Sequence, residues 1–257
     1  MESNDNSNYN SLQVMLNKRL SHGLQMLLSY TWSHSLDYYS GSDVSDITLL
    51  PGDMVNEDHN YASSDFDRRQ RLVANFLYNL PNAYHGGSGF AKRVVNSWSL
   101  SGIVTLQSGV PFSIYGQDSA FQATMADLAT GRTLASAIKS GNVKDRLGDC
   151  RPPAAPCPYF DTTAFVQPIA IGDVGFGQLG RNIIRGPKQI NTDFSITKAI
   201  PVTESQRFEF RAELFNLFNN VNFANPVNII YPSTNFGQIV STSTGPRVIQ
   251  FALKYAF

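Results

Sequence analysis

The sequence predicts an all-β chain: an antiparallel up-and-down transmembrane β-barrel segment of about seven strands, forming an open curved sheet with long extracellular loops. Three observations predict it. Short runs of strict apolar–polar alternation recur between turn residues, as half-exposed strands require. No stretch approaches the roughly 18 apolar residues of a transmembrane helix. The connections between runs are by turns short and long, as they are when short turns lie on the periplasmic side of a barrel and long loops outside.

The first run, Tyr9 to Leu20, sets Leu12, Val14, Leu16 and Leu20 against Gln13, Asn17 and Arg19, because strand side chains have period two. Ser21-His22-Gly23 then makes a tight connection to Leu24–Ser35, where Met26, Leu28, Tyr30 and Trp32 oppose Gln25, Ser29, Thr31 and Ser33. These two runs predict a hairpin. Arg71 to Leu80 carries Leu72, Ala74, Phe76, Tyr78 and Leu80 on one face and is ended by Pro81-Asn82. Asn96 to Gln107 sets Trp98, Leu100, Val104 and Leu106 against Ser97, Ser99, Ser101, Thr105 and Gln107, and its pattern extends past Gly109 and Pro111 as far as Tyr115. Ile190 to Ile200 offers Ile190, Phe194 and Ile196 against Asn191, Asp193, Ser195 and Thr197.

Arg207 to Asn216 has the sharpest pattern, with Phe208, Phe210, Ala212 and Leu214 opposite the ladder Arg207, Glu209, Arg211 and Glu213. Phe208, Ala212, Phe215 and Phe218 also have helical spacing. A helix, however, would scatter the four charges around its axis and leave no clean apolar stripe. The last run, Arg247 to Phe257, places Ile249, Phe251, Leu253, Tyr255 and Phe257 on one face and Val248, Gln250, Ala252, Lys254 and Ala256 on the other. Its length suits a tilted strand, which crosses a bilayer in about 9–11 residues.

Composition agrees with this class. The 257 residues hold 20 Lys+Arg and 20 Asp+Glu, so nothing in the net charge draws the chain to nucleic acid or to an anionic surface. Charged residues are 16% and aromatics 12%, a balance suited to a polar but seldom ionic lumen. A mean hydropathy of -0.19 is compatible with strands that are apolar on one face only. The aromatics sort toward two interfaces, Tyr30 and Trp32 near the outer one and Tyr78, Trp98, Tyr255 and Phe257 near the periplasmic one, where amphipathic rings are favoured. A soluble sandwich or barrel could use the same rings as core, but its connections would be shorter.

The connections are Ser21–Gly23, short; Leu36–Gln70, long; Pro81–Val95, moderate; Gly116–Gln189, very long; Pro201–Gln206, short; and Leu217–Pro246, long. If the final strand descends to the periplasm, every long one faces outward. The amino terminus, M-E-S-N-D-N-S-N-Y-N, has neither the basic start nor the apolar core of an export signal. The chain is therefore expected to be a fragment of a longer one. Cys150 and Cys157 lie close together in a Pro-rich segment, which favours a small disulfide in an oxidising compartment over two unrelated thiols.

Few motifs carry chemistry. Gly175-Phe176-Gly177-Gln178-Leu179-Gly180 matches G-x-G-x-x-G, but no buried strand precedes it and Gly186-Pro187 stops any following helix, so a flexible loop is expected rather than a dinucleotide site. Asp37, Asp43, Asp46, Asp53, Glu57, Asp58, Asp65 and Asp67 make the segment 37–67 acid-rich. Without EF-hand spacing, this segment reads as a solvated outer loop, with calcium or ligand contact the alternative. His22, His34, His59 and His85 have no metal-ligand spacing, and Gly86-Gly87-Ser88-Gly89 fails the G-x-S-x-G pattern. No enzyme, catalytic residue, cofactor or metal site is expected.

Several segments carry a family resemblance: N-Y-N-S-L-Q at Asn8 to Gln13, S-Y-T-W-S-H-S at Ser29 to Ser35, D-F-D-R-R-Q-R at Asp65 to Arg71, Trp98 to Phe112, F-R-A-E-L-F-N-L-F-N at Phe210 to Asn219, and the terminal R-V-I-Q-F-A-L-K-Y-A-F. Together they make the chain resemble the C-terminal β-barrel portion of TonB-dependent outer-membrane receptors, in particular the Oar-like group. The resemblance implies a barrel of about 22 strands closed by an N-terminal plug and opened to its ligand by an energised inner-membrane complex. Residues 1–257 would then be the C-terminal part of that barrel, with the plug and N-terminal strands absent. It also implies a place in the cell outer membrane of Gram-negative type. The implied partners are outer-membrane lipid, an unknown ligand, the TonB complex through the missing N-terminal part, and the barrel-assembly machinery, which would read Ile249, Phe251, Leu253, Tyr255 and Phe257. A non-transporting surface barrel or adhesin that binds a partner through its loops is the alternative function.

Overall fold

The computed structural model describes residues 6–40, 60–87, 89–117, 123–139, 141, 158–168, 177–231 and 233–257. Seven long strands form one antiparallel sheet in which each pairs with its neighbours in sequence: β1 (Ser7–Ser21), β2 (Leu24–Asp37), β3 (Gln70–Asn79), β4 (Trp98–Gln107), β5 (Gln189–Pro201), β6 (Arg207–Phe215) and β7 (Val248–Ala256). The sheet is open, with β1 and β7 at its edges. The two-residue strand Ala62–Ser63 adds to the end of β2. β3, β4, β6 and β7 are 9 or 10 residues long, the length that spans hydrocarbon when tilted.

The register keeps one apolar face intact across all seven strands. Val14 lies opposite Tyr30, Tyr30 opposite Leu72, and Leu72 opposite Leu106. Leu106 faces Ile190, and farther along β5 Phe194 faces Leu214, which faces Ile249. A slip of one residue at any junction would turn a strand inside out, and the ladders hold their register except for one shift at the turn end of β1, between Lys18 and Ser21. The opposite face carries the polar set, including the predicted ladder, in which Arg211 pairs with Glu209 at 2.8 Å and Lys254 sits across from Glu209.

No protein layer among the described residues covers the apolar face. Among the described residues, Ala212 is the only buried hydrophobic side chain of the seven strands, while Phe251 and Leu253 are each 69% exposed. Phe208 packs only sideways on Tyr255, and Phe210 on Phe251. A soluble sandwich would bury these rings between sheets, so the exposed face is the one that hydrocarbon must contact. Among the described residues no helix is long and apolar enough to cross a membrane, and the strands do the crossing.

Two glycines carry specific geometry. His22 (φ 52) and Gly23 (φ 78) are both left-handed, the requirement of a two-residue turn that matches strand twist. Gly102 lies on the apolar face of β4 between Phe76 and Phe194, whose rings are 6.4 Å apart, and a Cβ there would come within 2.7 Å of Phe76 Cε1. The two rings close over the gap that the missing side chain leaves.

Two expectations change. The extension of Asn96–Gln107 to Tyr115 fails: β4 stops at Gln107, and Pro111–Phe112 pairs instead with Ile184–Arg185. Gly109 and Gly186 cross there so closely that a Cβ on Gly109 would fall 2.0 Å from the Gly186 carbonyl, which turns the chain out of the sheet. On β1 the register shifts between Lys18 and Ser21, so alternation does not run cleanly to Leu20. Lys18, opposite Met26, joins the apolar face instead. The connection Pro81–Val95 holds a helix, α1 (Gly89–Val95).

All short connections gather at one end of the sheet and all long ones at the other. Two of the long ones fold together in their described parts. Phe112, Ile114, Phe160, Phe165 and Ile184 form a buried core within the connections that follow β4 and β6, with Phe236 meeting Phe160 edge-on at 5.3 Å. This cap is the only described part of the molecule with a conventional hydrophobic interior.

Phe210→Arg is expected to destabilise the membrane-inserted protein by about 2–4 kcal/mol, the cost of a cation on the lipid face near the midplane. Glu209→Gln, one residue away on the other face, should change stability by less than about 1 kcal/mol. Guanidinium unfolding in lipid vesicles measures both, and equal effects would contradict the assignment of faces.

Candidate functional site

The described chemistry gathers where the cap meets the polar face. Charged side chains are few, yet six carboxylates and guanidiniums converge at this junction. Arg181, 3% exposed at its side chain, sends Nη2 to the Asp37 carbonyl at 2.7 Å and to the Asp37 carboxylate, Nη1 to Asp65 at 3.2 Å and to Ser40 Oγ at 3.1 Å, and Nε to the Asn60 carbonyl at 3.2 Å. A guanidinium buried this deeply must have its donors matched. Asn182 follows in a left-handed conformation (φ 56), which turns its amide onto Asp65 at 2.5 Å and onto the Ser63 carbonyl at 2.7 Å.

The second knot is Asp67, whose side chain is 1% exposed. It accepts the Ser35 backbone N–H at 2.9 Å, forms an ion pair with Arg185, and has Arg69 at 3.2 Å and His34 at 3.4 Å. Burial pushes the Asp67 carboxyl upward, but the hydrogen bonds from Ser35 and Arg185 and the charges beside it outweigh that and hold it below the usual carboxylate value.

Beneath these knots, the polar face has a depression of about 300 Å³ lined by Tyr9, Gln13, Thr31, Phe66, Arg68 and Arg71, among others. Arg68 is tethered through Nη1 to the Ser108 carbonyl at 2.8 Å. On the far side of the cap, asparagines do the joining. Asn222, 2% exposed, exchanges two hydrogen bonds with the Ile190 backbone at 2.7 and 2.9 Å. Asn216 (φ 51) donates to the Asn220 and Gly245 carbonyls, and Asn219 Oδ1 accepts the Arg247 N–H. The N-L-F-N segment therefore ties the end of β6 to the start of β7.

The sequence-predicted sites fare differently. Cys150 and Cys157 lie outside the described residues, as do Asp43, Asp46, Asp53, Glu57 and Asp58 of the acidic segment. The remaining acids of that segment, Asp37, Asp65 and Asp67, are engaged with arginine. Among the described residues, no group of three or more His, Cys, Asp or Glu is placed to hold a metal ion. Ile249, Phe251, Leu253, Tyr255 and Phe257 share the apolar side of the last strand, with Phe257 94% exposed. The G-x-G-x-x-G segment is not a flexible loop where it is described. Gly177 N donates to Thr124 Oγ1 at 3.3 Å, Gln178 N to Asp127 at 2.6 Å and Leu179 N to the Ala126 carbonyl at 3.1 Å, and a Cβ on Gly177 would strike the Met125 carbonyl at 1.6 Å. Gly177 permits close packing in the cap.

Sequence reading missed Arg181 and Arg185 because each is an isolated cation in a long connection. A usable signal existed: in a chain only 16% charged, the density of D-F-D-R-R-Q-R calls for partners of both signs elsewhere. A family model described as outer membrane beta barrel domain matches residues 1–250. No curated protein and no solved structure matches the chain.

Asp67→Asn is expected to leave Arg185 and Arg69 without their counter-charge and to destabilise the attachment of the cap by about 1–3 kcal/mol, read as faster hydrogen exchange at residues 181–186. In the unaltered protein, Asp67 binds its proton less readily folded than unfolded. Its contribution is therefore present above the unfolded carboxyl value of about 4 and is lost as pH falls through the lower folded one. The opening free energy at these residues, obtained from exchange after correction for the intrinsic pH dependence of the amide, should stay level from neutral pH to about pH 4 and fall below it.

Proposed function

This chain belongs to the outer membrane beta barrel domain family, and on that premise we propose that it is the C-terminal part of a TonB-dependent receptor that takes up a ligand across the outer membrane. Residence in the outer membrane follows from the family itself. The observation that carries the further step is the pairing of the sheet. Seven strands follow one another neighbour to neighbour, and β1 and β7 each have one unpaired edge. In hydrocarbon every unpaired backbone group costs several kcal/mol, so further strands must join these edges to close a barrel. The proposal supplies them from a segment preceding β1, together with a plug that meets the TonB complex.

The cap supports uptake over a purely adhesive role. Through Arg185 it holds the loop of Phe66, Asp67 and Arg68, which lines a depression on the polar face that becomes the lumen when the sheet closes. A loop cluster built only to grip an external partner has no need to reach inward. Outer-membrane lipid contacts the apolar face, and Phe257 with the alternating residues before it is the segment offered to the barrel-assembly machinery. The proposal gives the chain no catalytic role, no cofactor and no nucleic-acid partner.

The reading frame upstream of residue 1 is expected to encode a plug domain preceded by a TonB-binding segment, and the full-length protein is expected to bind the isolated periplasmic domain of TonB. A frame without a plug, together with no TonB binding by the folded full-length protein, would leave the non-transporting surface barrel as the better reading. Recovery of that protein from the soluble periplasm would defeat both.

A further inference from the structure

Among the described residues, the depression beneath the cap holds two cations and is short of anions. Arg68 and Arg71 both line it, and the one described carboxylate at its wall, Asp67, is already engaged by Arg185 and Arg69. The side chain of Arg71, on the polar face opposite Gln107 and Thr31, has no ion-pair or hydrogen-bond partner among the described residues. Burial, and next the charge of Arg71, push the Arg68 guanidinium downward, as expected of like charges sharing a partly dry site. Such a pair repels itself until an anion sits between its members.

The remaining walls are specific too. Arg68 is held by Ser108, so its fork is oriented in advance and loses little freedom on binding. Thr31 and Gln13 add neutral polar groups. Phe66 and Tyr9, 63% and 58% exposed, present rings at the rim. We propose that Arg68 and Arg71 form an oxyanion-binding subsite on the lumen face, which takes the carboxylate or phosphate group of a small ligand whose apolar body rests against Phe66 and Tyr9. Guanidinium forks bind both groups bidentately, and the rings suit an aromatic or otherwise flat apolar body. The subsite is a property of the polar face and goes beyond the uptake reading, since occupancy needs no energised complex.

The test uses the full-length protein, purified from outer membranes in a non-ionic detergent, with phenyl phosphate, inorganic phosphate, benzoate and benzyl alcohol as probes in calorimetric titration. Saturable binding is expected for the phosphates and benzoate but not for the alcohol, with affinity falling as salt rises. Arg71→Gln should weaken anion binding about tenfold or more, with Arg71→Lys intermediate. Phe66→Ala should weaken phenyl phosphate while leaving inorganic phosphate unchanged. Arg211→Gln, which removes a paired guanidinium from the same face, should alter neither. Circular dichroism of each variant verifies the folded sheet. Binding by only the phosphates or only benzoate narrows the ligand class and upholds the subsite. Absence of saturable anion binding in the folded unaltered protein, or equal affinities in it and in folded Arg71→Gln, overturns the proposal. Because TonB is absent throughout, that failure is distinct from any failure of the uptake reading.

Discussion

Hydrocarbon offers a peptide group no hydrogen-bond partner, and the architecture follows from that restriction. A backbone crossing the bilayer as strands must find every partner in an adjacent strand, so neighbours in sequence become neighbours in space and the register cannot drift. The same solvent makes a second demand, that one face be apolar over the full width of the sheet. The exceptions show how strictly it acts. Lys198 lies on the apolar face opposite Trp98, but near the end that carries the short turns, where its ammonium donates to the Asn96 carbonyl just beyond the strand and sits 5.3 Å from the Trp98 ring centroid. Lys18 lies at the same end, in a recess it shares with Tyr78. Both follow the rule that a long cationic side chain is tolerated where its tip can leave the hydrocarbon.

Outside the bilayer the constraint is reversed. The cap is surrounded by water and must organise itself by burying its own apolar surface, which it does around Phe160, Phe165 and Phe236. Joining such a body to a sheet whose outer end is polar calls for directional contacts, and the chain uses few charges but nearly dry ones. Arg181 and Asp67 are each almost fully enclosed, where an ion pair is weakly screened and the loss of one partner is costly. Asparagine has the same role at the other junction, because a short amide can donate and accept at once and tolerates a left-handed backbone.

The sheet was legible in the sequence because its solvent writes directly on it: each strand declares itself by alternation, with the predicted ends close to those of the described strands. The cap was not legible for an equally physical reason. Its strands are two or three residues long, too short for a period to register, and its core residues are spread over two connections. Position 109 shows the limit. Alternation alone continued the strand through Gly109 and Pro111, and only the close crossing with Gly186 explains why the chain leaves the sheet there. Glycine in the G-x-G-x-x-G segment misled in a similar way, because the residue that permits flexibility also permits contacts too close for any side chain.

The two bodies thus draw their stability from different sources, the sheet from contact with lipid and the cap from its own core, and they meet through side chains with little apolar area. Arg185 is central to that meeting. Its strand pairs with Pro111–Phe112 inside the cap, its carbonyl accepts Tyr159 Oη at 3.1 Å, and its guanidinium reaches down to Asp67 beside the polar face. Asp67 in turn fixes the turn that carries Phe66 and Arg68 to the rim of the depression. The geometry of the inner wall is therefore set from the cap through one carboxylate, so a ligand that alters the position of Arg68 must act on the same loop that holds the cap in place. Coupling of that kind needs no movement of the sheet, which lipid and the backbone ladder keep rigid.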